Sequence, residues 1–202
     1  MQPPLLIFEI IAIGFSIIIH EVAHGFMAEK LGDPTARRAG RLTLNPLKHI
    51  DPVGSILVPI ITSFTHYPFG WAKPVPFNPY NLKNRRSGEL LIALAGPASN
   101  ILIAVVFAII FRLGASLGYA FLDDCVYVIA INVSLAVFNL IPIPPLDGSK
   151  ILFAAFPLTN RWLNARRMIE QSALILMIIL VVFLWQYISP IIPTIIFFLV
   201  GY

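Results

Sequence analysis

Four long apolar runs, at about residues 5–19, 90–111, 126–141 and 173–188, restrict what this chain can fold into. An α-helix needs about 20 apolar residues to cross the hydrocarbon core of a bilayer, and each run approaches that length. Charged residues, proline or glycine bound every run. The pattern therefore predicts an all-α polytopic membrane protein.

The composition agrees, because 58% of the 202 residues are hydrophobic and only 12% are charged, which excludes an ordinary soluble domain. We predict a single membrane-embedded domain over residues 1–202, with a core of three transmembrane helices followed by C-terminal helices. The predicted spans are about 4–29, 88–111, 122–141 and 168–188, with a further candidate at 191–202 that would turn back across the bilayer.

A membrane-associated segment is predicted at residues 53–80, between the first two spans. Its first part, residues 53–65, is apolar but too short to cross, which favours a re-entrant or surface segment. The following stretch to residue 84 is too rich in proline for a helix. It is expected to form a short edge strand or an extended loop at the interface.

The basic residues predict the orientation of the chain. Thirteen of the fourteen fall in three clusters, and Arg112 stands apart. The clusters follow the first span, precede the second, and lie between the third and fourth: Lys30, Arg37, Arg38, Arg41 and Lys48; Lys73, Lys83, Arg85 and Arg86; Lys150, Arg161, Arg166 and Arg167. By the positive-inside rule all three clusters are cytoplasmic and the N-terminus is outside. The net charge of +4 thus reflects topology and does not indicate nucleic-acid binding.

The most specific chemical signal lies in the first span, where His20-Glu21-Val22-Ala23-His24 matches H-E-x-x-H. Histidines four apart project from one face of a helix and can share a Zn²⁺ ion, while the adjacent glutamate reaches an activated water as general base. The alternative is a pair of interfacial histidines with a snorkelling glutamate. Lys30 marks the interface about 15 Å further along the helix, so the motif is expected to lie within the bilayer.

A catalytic zinc needs a third protein ligand, and Asp147 is the best candidate. It follows a span that ends on the cytoplasmic side, as the first helix does. Because Asp-Gly is also a common turn sequence, Asp147 could instead be a turn residue. Asn139 is a candidate donor to the tetrahedral intermediate of hydrolysis or, alternatively, a polar contact between helices. Ser99 and Asn100 are interpreted as helix-packing residues.

Together these motifs form an ordered set. They are HEVAH, NPLKHIDPVGSIL at 45–57, GWAKPVPFNP at 70–79, AGPASNI at 95–101 and NLIPIPPLDG at 139–148. The set resembles the site-2 protease family of intramembrane zinc metalloproteases, particularly its small prokaryotic members without accessory domains.

The resemblance implies that His20, His24 and Asp147 bind one Zn²⁺, that Glu21 is the general base, and that Asn139 assists at the oxyanion. It also implies that residues 70–79 receive an unwound substrate strand. Expected substrates are transmembrane proteins or leftover signal peptides. The expected location is a prokaryotic cell membrane, with the active site toward the cytoplasm.

Two other functions fit the residues alone. One is a membrane-embedded zinc peptidase that cleaves soluble or lipid-modified peptides at the cytoplasmic face. The other is an ion-binding or transport protein without proteolytic activity, because intramembrane His, Glu and Asp residues also build ion pathways. The intact H-E-x-x-H motif favours hydrolysis.

Overall fold

The computed structural model describes residues 3–62, 72–114, 118–157 and 159–201, and these residues form helices joined by turns and extended backbone. The α-helices, in chain order, are α1 (Pro3–Lys30), α2 (Thr35–Arg38), α3 (Val58–Thr62), α4 (Arg85–Leu113), α5 (Tyr119–Asn139), α6 (Asp147–Ala155), α7 (Asn160–Gln171), α8 (Ala173–Ile179), α9 (Trp185–Ile188) and α10 (Ile191–Val200). Short 3₁₀ turns occupy Pro46–Lys48 and Pro79–Asn81, and π-helical turns occupy Pro52–Leu57 and Leu180–Leu184. No β-strand occurs among the described residues, so the predicted all-α class is confirmed.

Three helices are long and apolar enough to cross a membrane: α1 over Leu6–Lys30, α4 and α5. In the described part of the chain, α7 and the helix over Ile175–Ile188 could together form a fourth span, although they meet at a bend of 63°. The chain is therefore an integral, multi-pass membrane protein. The π-helical turn at Pro52–Leu57 and α3 lie in the predicted membrane-associated segment, whose residues 63–71 fall outside the described ranges.

Helix α4 packs against both α1 and α5 and forms the centre of the bundle. Its buried face is made of small residues, including Ala93, Gly96, Ala104 and Ala108. Small side chains let helix backbones approach closely, which is how helices pack without a hydrophobic driving force in lipid. This close approach brings the backbone of α4 against the H-E-x-x-H motif of α1.

The last helix, α10, packs on the outer half of α4 and on α5. Ile192 and Val200 of α10 share a buried cluster with Ala104, Ala108, Ile129 and Val133. The guanidinium of Arg112 donates hydrogen bonds of 3.0 Å to the carbonyl oxygens of Phe198 and Leu199. The carboxyl end of α10 therefore lies beside the carboxyl end of α4.

Candidate metal centre

Three ligand-type side chains converge inside the bundle. His20 and His24 lie one turn apart on α1, and Asp147 is the first residue of α6. The Nε2 atoms of the two histidines are 3.1 Å apart, and Oδ2 of Asp147 lies 3.1 Å from Nε2 of His20 and 3.0 Å from Nε2 of His24. All three residues are buried, with at most 8% of their surface exposed.

The other ring nitrogens decide what these three atoms can bind. Nδ1 of His24 lies 2.6 Å from the carbonyl oxygen of Ile92, and a carbonyl oxygen only accepts, so Nδ1 must carry the proton. Nδ1 of His20 lies 2.6 Å from Oδ1 of Asn100, which is also an acceptor. When both rings are neutral, their Nε2 atoms are unprotonated and point, with a carboxylate oxygen, at one small volume.

Three acceptors without a donor between them need a cation. Neutral imidazole nitrogens and a carboxylate oxygen form a donor set that suits zinc. In a tetrahedral zinc site with bonds of about 2.0–2.1 Å, ligand atoms lie about 3.3–3.4 Å apart. The observed separations of 3.0–3.1 Å are close to that spacing, so the residues fit a zinc ion with small outward shifts.

Gly96 allows α4 to approach the two histidine rings. A Cβ atom at this position would lie 2.5 Å from the ring atoms Cε1 and Nε2 of His24 and 2.6 Å from Cε1 of His20. Contacts this short do not occur, so any side chain would push α4 away from the rings. The glycine of the AGP motif is therefore required by the geometry of the centre.

The chain reverses sharply to bring Asp147 into place. Helix α5 ends at Asn139, residues 140–146 form turns, and α6 begins at Asp147. A Cβ on Gly148 would lie 2.2 Å from the carbonyl oxygen of Leu140, so the turn closes only with glycine there. The ammonium of Lys150 donates to Oδ1 of Asp147 at 2.9 Å, which leaves Oδ2 toward the histidines.

A cavity of about 420 Å³ opens onto the three ligand-type residues, and Glu21 and Asn139 line it as well. Glu21 thus shares one enclosed space with His20 and His24. Its Oε2 atom accepts a hydrogen bond of 2.8 Å from the backbone N–H of Val75. The arrangement combines a cation site with a carboxylate able to accept a proton, which is the requirement for hydrolysis by an activated water.

Comparisons with known proteins agree with this geometry. The family model for peptidase family M50 matches residues 110–184, which include Asn139 and Asp147. Three curated relatives are each named "Putative zinc metalloprotease". They are YwhC of Bacillus subtilis (40% identical; 71% of this chain and 66% of the relative), Rip2 of Mycolicibacterium smegmatis (32%; 66% and 51%) and a protein of Methanocaldococcus jannaschii (34%; 72% and 69%).

The chain belongs to peptidase family M50, the site-2 protease family. The matched segment covers about two thirds of YwhC and about half of Rip2. No solved structure gives a significant match. The family match and the curated relatives confirm the predicted resemblance to the site-2 protease family.

In this M50 member, the wall of the cavity opposite the helices is an extended segment, residues 72–78. It has no regular secondary structure, and Ala72, Pro74, Val75 and Phe77 line the cavity. The prediction of an edge strand or an extended loop here is thus resolved in favour of a loop. Residues 70 and 71 of the predicted strand-receiving stretch lie outside the described ranges.

Two side chains and one backbone carbonyl hold the extended segment. Arg41 donates to the carbonyl oxygen of Lys73 at 2.5 Å, and the N–H of Lys73 donates to the carbonyl oxygen of His49 at 2.9 Å. At the other end, the N–H of Asn78 donates to Oδ2 of the fully buried Asp33 at 2.6 Å. Asp33 directly follows α1, so this contact ties the segment to the helix that carries the H-E-x-x-H motif.

The structure brings all five sequence-predicted site residues around one cavity. The amide of Asn139 donates to the carbonyl oxygen of Leu135 in its own helix at 2.9 Å, and its second N–H makes no hydrogen bond to the described residues. Its predicted role in binding an oxyanion, like the roles of the other four residues, stays a prediction.

Three residues in the site were missed by sequence reasoning. Sequence reasoning assigns Asn100 to helix packing, uses Lys150 only as a marker of topology, and does not single out Asp33. The sequence did offer a signal for Asn100, because a polar side chain in the middle of an apolar span is rare and often has a function. For Asp33 and Lys150 no comparable signal existed, since charged residues are common at membrane boundaries.

Proposed function

We propose that this protein is a zinc metalloprotease that hydrolyses peptide bonds within transmembrane segments, with its active site toward the cytoplasmic side of a prokaryotic cell membrane. One observation supports this most strongly. Nε2 of His20, Nε2 of His24 and Oδ2 of Asp147 converge within 3.1 Å of one another, in a cavity that Glu21 also lines. A structural polar cluster would instead pair each acceptor with a donor.

Each residue has a distinct part in the proposed reaction. His20, His24 and Asp147 hold the ion, and Glu21 takes a proton from the attacking water and returns it to the leaving amine. When bound, zinc lowers the pKa of a coordinated water and polarises the scissile carbonyl. Lys150 holds Asp147 in a one-oxygen orientation through its contact with Oδ1. The free N–H of Asn139 donates to the developing oxyanion.

The extended segment is the proposed receiver of the substrate. A helical substrate has all its backbone groups paired internally, so it must unwind before a peptide bond can reach Glu21. An extended stretch of backbone can pair with an unwound strand, as in strand addition at a sheet edge. Pro74, Val75 and Phe77 face the same cavity as the candidate ligands, which would place such a strand beside them. Suitable partners are transmembrane proteins and signal peptides.

Cleavage of a model single-pass protein by the purified, detergent-solubilised protein tests the proposal. Glu21→Gln keeps the size of the side chain but removes the proton acceptor, so turnover should fall by about 10²–10⁴-fold. Zinc content should stay at that of the wild type, because Glu21 is not a proposed ligand. Glu9→Gln, on the same helix but outside the cavity, is the matched control and should remain active.

Mass spectrometry of the products distinguishes the alternatives. A cut within the transmembrane segment supports intramembrane proteolysis, and a cut only in a soluble flank supports a peptidase of the cytoplasmic face. Equal activity of wild type and Glu21→Gln would remove Glu21 as the base. Transport that survives in Glu21→Gln, with no proteolysis by either protein, would favour the ion-binding function.

A further inference from the structure

A chain of buried polar side chains extends from the candidate metal centre into the bundle. Ser16 of α1, Asn100 of α4 and Asn132 of α5 meet where the three helices pack, and we refer to these three residues as the polar relay. Asn100 and Asn132 are fully buried, and Ser16 is 4% exposed. Such a cluster is costly in an apolar setting unless each group is paired, so its pairing defines the direction of every side chain.

The pairing begins at Asn132. Its Nδ2 donates to the carbonyl oxygen of Val128 and to Oγ of Ser16, each at 2.9 Å. Ser16 can accept because its own hydroxyl donates to the carbonyl oxygen of Ala12 at 2.8 Å. These contacts fix which end of the Asn132 amide carries the nitrogen, and Oδ1 of Asn132 consequently faces Asn100.

Asn100 takes its orientation from Asn132. Nδ2 of Asn100 donates to Oδ1 of Asn132 at 2.9 Å and to the carbonyl oxygen of Ser16 at 3.3 Å. Oδ1 of Asn100 is therefore the atom 2.6 Å from Nδ1 of His20. A reversed Asn100 amide would present a donor to His20 and would favour the tautomer with its proton on Nε2, which faces Asp147.

The two histidines differ in this respect. The tautomer of His24 is set in one step by the backbone carbonyl of Ile92, which cannot be reversed. The tautomer of His20 depends on a side-chain amide, and an amide can present either its oxygen or its nitrogen. His20 therefore needs a further group that holds the Asn100 amide in one orientation, and His24 needs no such group.

We propose that Asn132 is a positioning residue for the metal centre: by fixing the Asn100 amide, it keeps the proton of His20 on Nδ1 and leaves Nε2 free for the ion. The inference deepens the proposed zinc site and depends on it. Groups that orient a ligand histidine typically change metal affinity by about 10–100-fold when removed. Asn132 reaches the ligand histidine only through Asn100, so a loss of zinc affinity at the lower end of that range is expected.

Three variants of the full-length protein test the relay. Asn132→Leu is similar in size but removes every polar contact, and zinc affinity should fall by about tenfold. Asn132→Asp retains an acceptor oxygen for Nδ2 of Asn100 but loses the amide donor to Ser16 and Val128, so zinc affinity should fall by less than in Asn132→Leu. Gln186→Leu removes an amide that, among the described residues, bonds only to Phe183 of its own helical segment, and it should leave zinc affinity unchanged.

Two readouts separate positioning from a structural role, and neither needs proteolysis. Zinc affinity is measured by competition with a chromogenic chelator. The tautomer of His20 is read from ¹⁵N chemical shifts of the zinc-free protein, with the His20 signals assigned from a His20→Gln sample. We expect Nδ1–H in the wild type and a mixture of tautomers in Asn132→Leu.

An Nε2–H tautomer in the wild type would overturn the proposal directly, whatever the variants do. So would unchanged zinc affinity and an unchanged His20 tautomer in Asn132→Leu, even with a lower unfolding temperature. Because the tautomer is measured without zinc or substrate, an inactive but Nδ1–H wild type would count against the proposed protease and not against the relay.

Discussion

The two walls of the cavity are built differently. On one wall, the three candidate ligands lie on helices: His20 and His24 are fixed by buried hydrogen bonds to α4, and Asp147 is held by Lys150 of its own helix. On the other, residues 72–78 have no regular secondary structure and depend on side chains from elsewhere, chiefly Arg41 and Asp33. The helical wall suits a centre whose geometry must not change, and the extended wall is the proposed receiver of a peptide. We therefore expect changes to the first wall to affect metal binding, and changes to the second to affect substrate binding.

The largest effect on the helical wall is expected from Gly96→Ala. The added methyl group would overlap both histidine rings, so α4 or the rings must move. Zinc affinity should fall by about 100-fold, at the upper end of the range for groups that support ligands. Chelator competition measures the loss. Gly14→Ala is the control, since a Cβ at Gly14 meets no atom within 4 Å; equal zinc affinity in both variants would refute the packing argument.

A smaller effect on the same wall is expected from Lys150→Met. This change removes the ammonium from Oδ1 of Asp147 but keeps an unbranched chain of similar length. Zinc affinity should fall by about tenfold, and Lys150→Arg should recover most of it. Lys48→Met, in an exposed turn, is the matched control. Unchanged zinc affinity with a lower kcat in Lys150→Met would instead place Lys150 in contact with the substrate.

On the extended wall, Asp33→Asn should alter substrate binding while leaving zinc in place. An amide nitrogen in place of one carboxylate oxygen would face the donors of Asn78 or Asn81, and two donors repel. KM should rise by roughly three- to tenfold, equivalent to the loss of about one hydrogen bond, with little change in kcat. Asp51→Asn is the control, because Asp51 caps only its own turn at Val53 and Gly54. Lost zinc in Asp33→Asn would show that the two walls are not independent.

The smallest expected effect is the contribution of Asp33 to stability in acid. Burial alone would raise the pKa of Asp33, but hydrogen bonds from Thr35, Asn81 and Asn78 outweigh burial and hold the pKa below its ordinary value. The stabilisation is therefore complete above about pH 4 and is lost as pH falls through the lower folded-state pKa. Wild type should unfold roughly 2–4 °C above Asp33→Asn at neutral pH, and the gap should narrow in acid. A gap that stays constant down to pH 2 would contradict this assignment.

The helical wall was largely predictable from the sequence. Residues four apart on a helix must share a face, so His20 and His24 could be paired by spacing alone. Asp147 could be placed because hydropathy and charge fixed the end of the bundle at which its span finishes. Both arguments use local periodicity and membrane sidedness, and both properties can be read from short stretches of consecutive residues.

The extended wall and the relay were not predictable in the same way. The prolines near residue 75 excluded a helix, but the contact between Val75 and Glu21 joins residues 54 positions apart. The contact between His20 and Asn100 joins residues 80 apart, and nothing in either segment indicates the partner. The contact between Arg112 and the end of α10 was also not predictable, because it is made through backbone carbonyls that carry no sequence signal.

The distance along the chain between the candidate ligands affects how metal supply would control the amount of folded protein in a cell. His20 and Asp147 are 127 residues apart, so an ion held by both would fasten the first helix to the third quarter of the polypeptide. A ligand that binds only the folded state stabilises it in proportion to the logarithm of its concentration. The supply of metal would then govern how many molecules escape degradation, and a cell starved of zinc would lose the protein itself along with its activity.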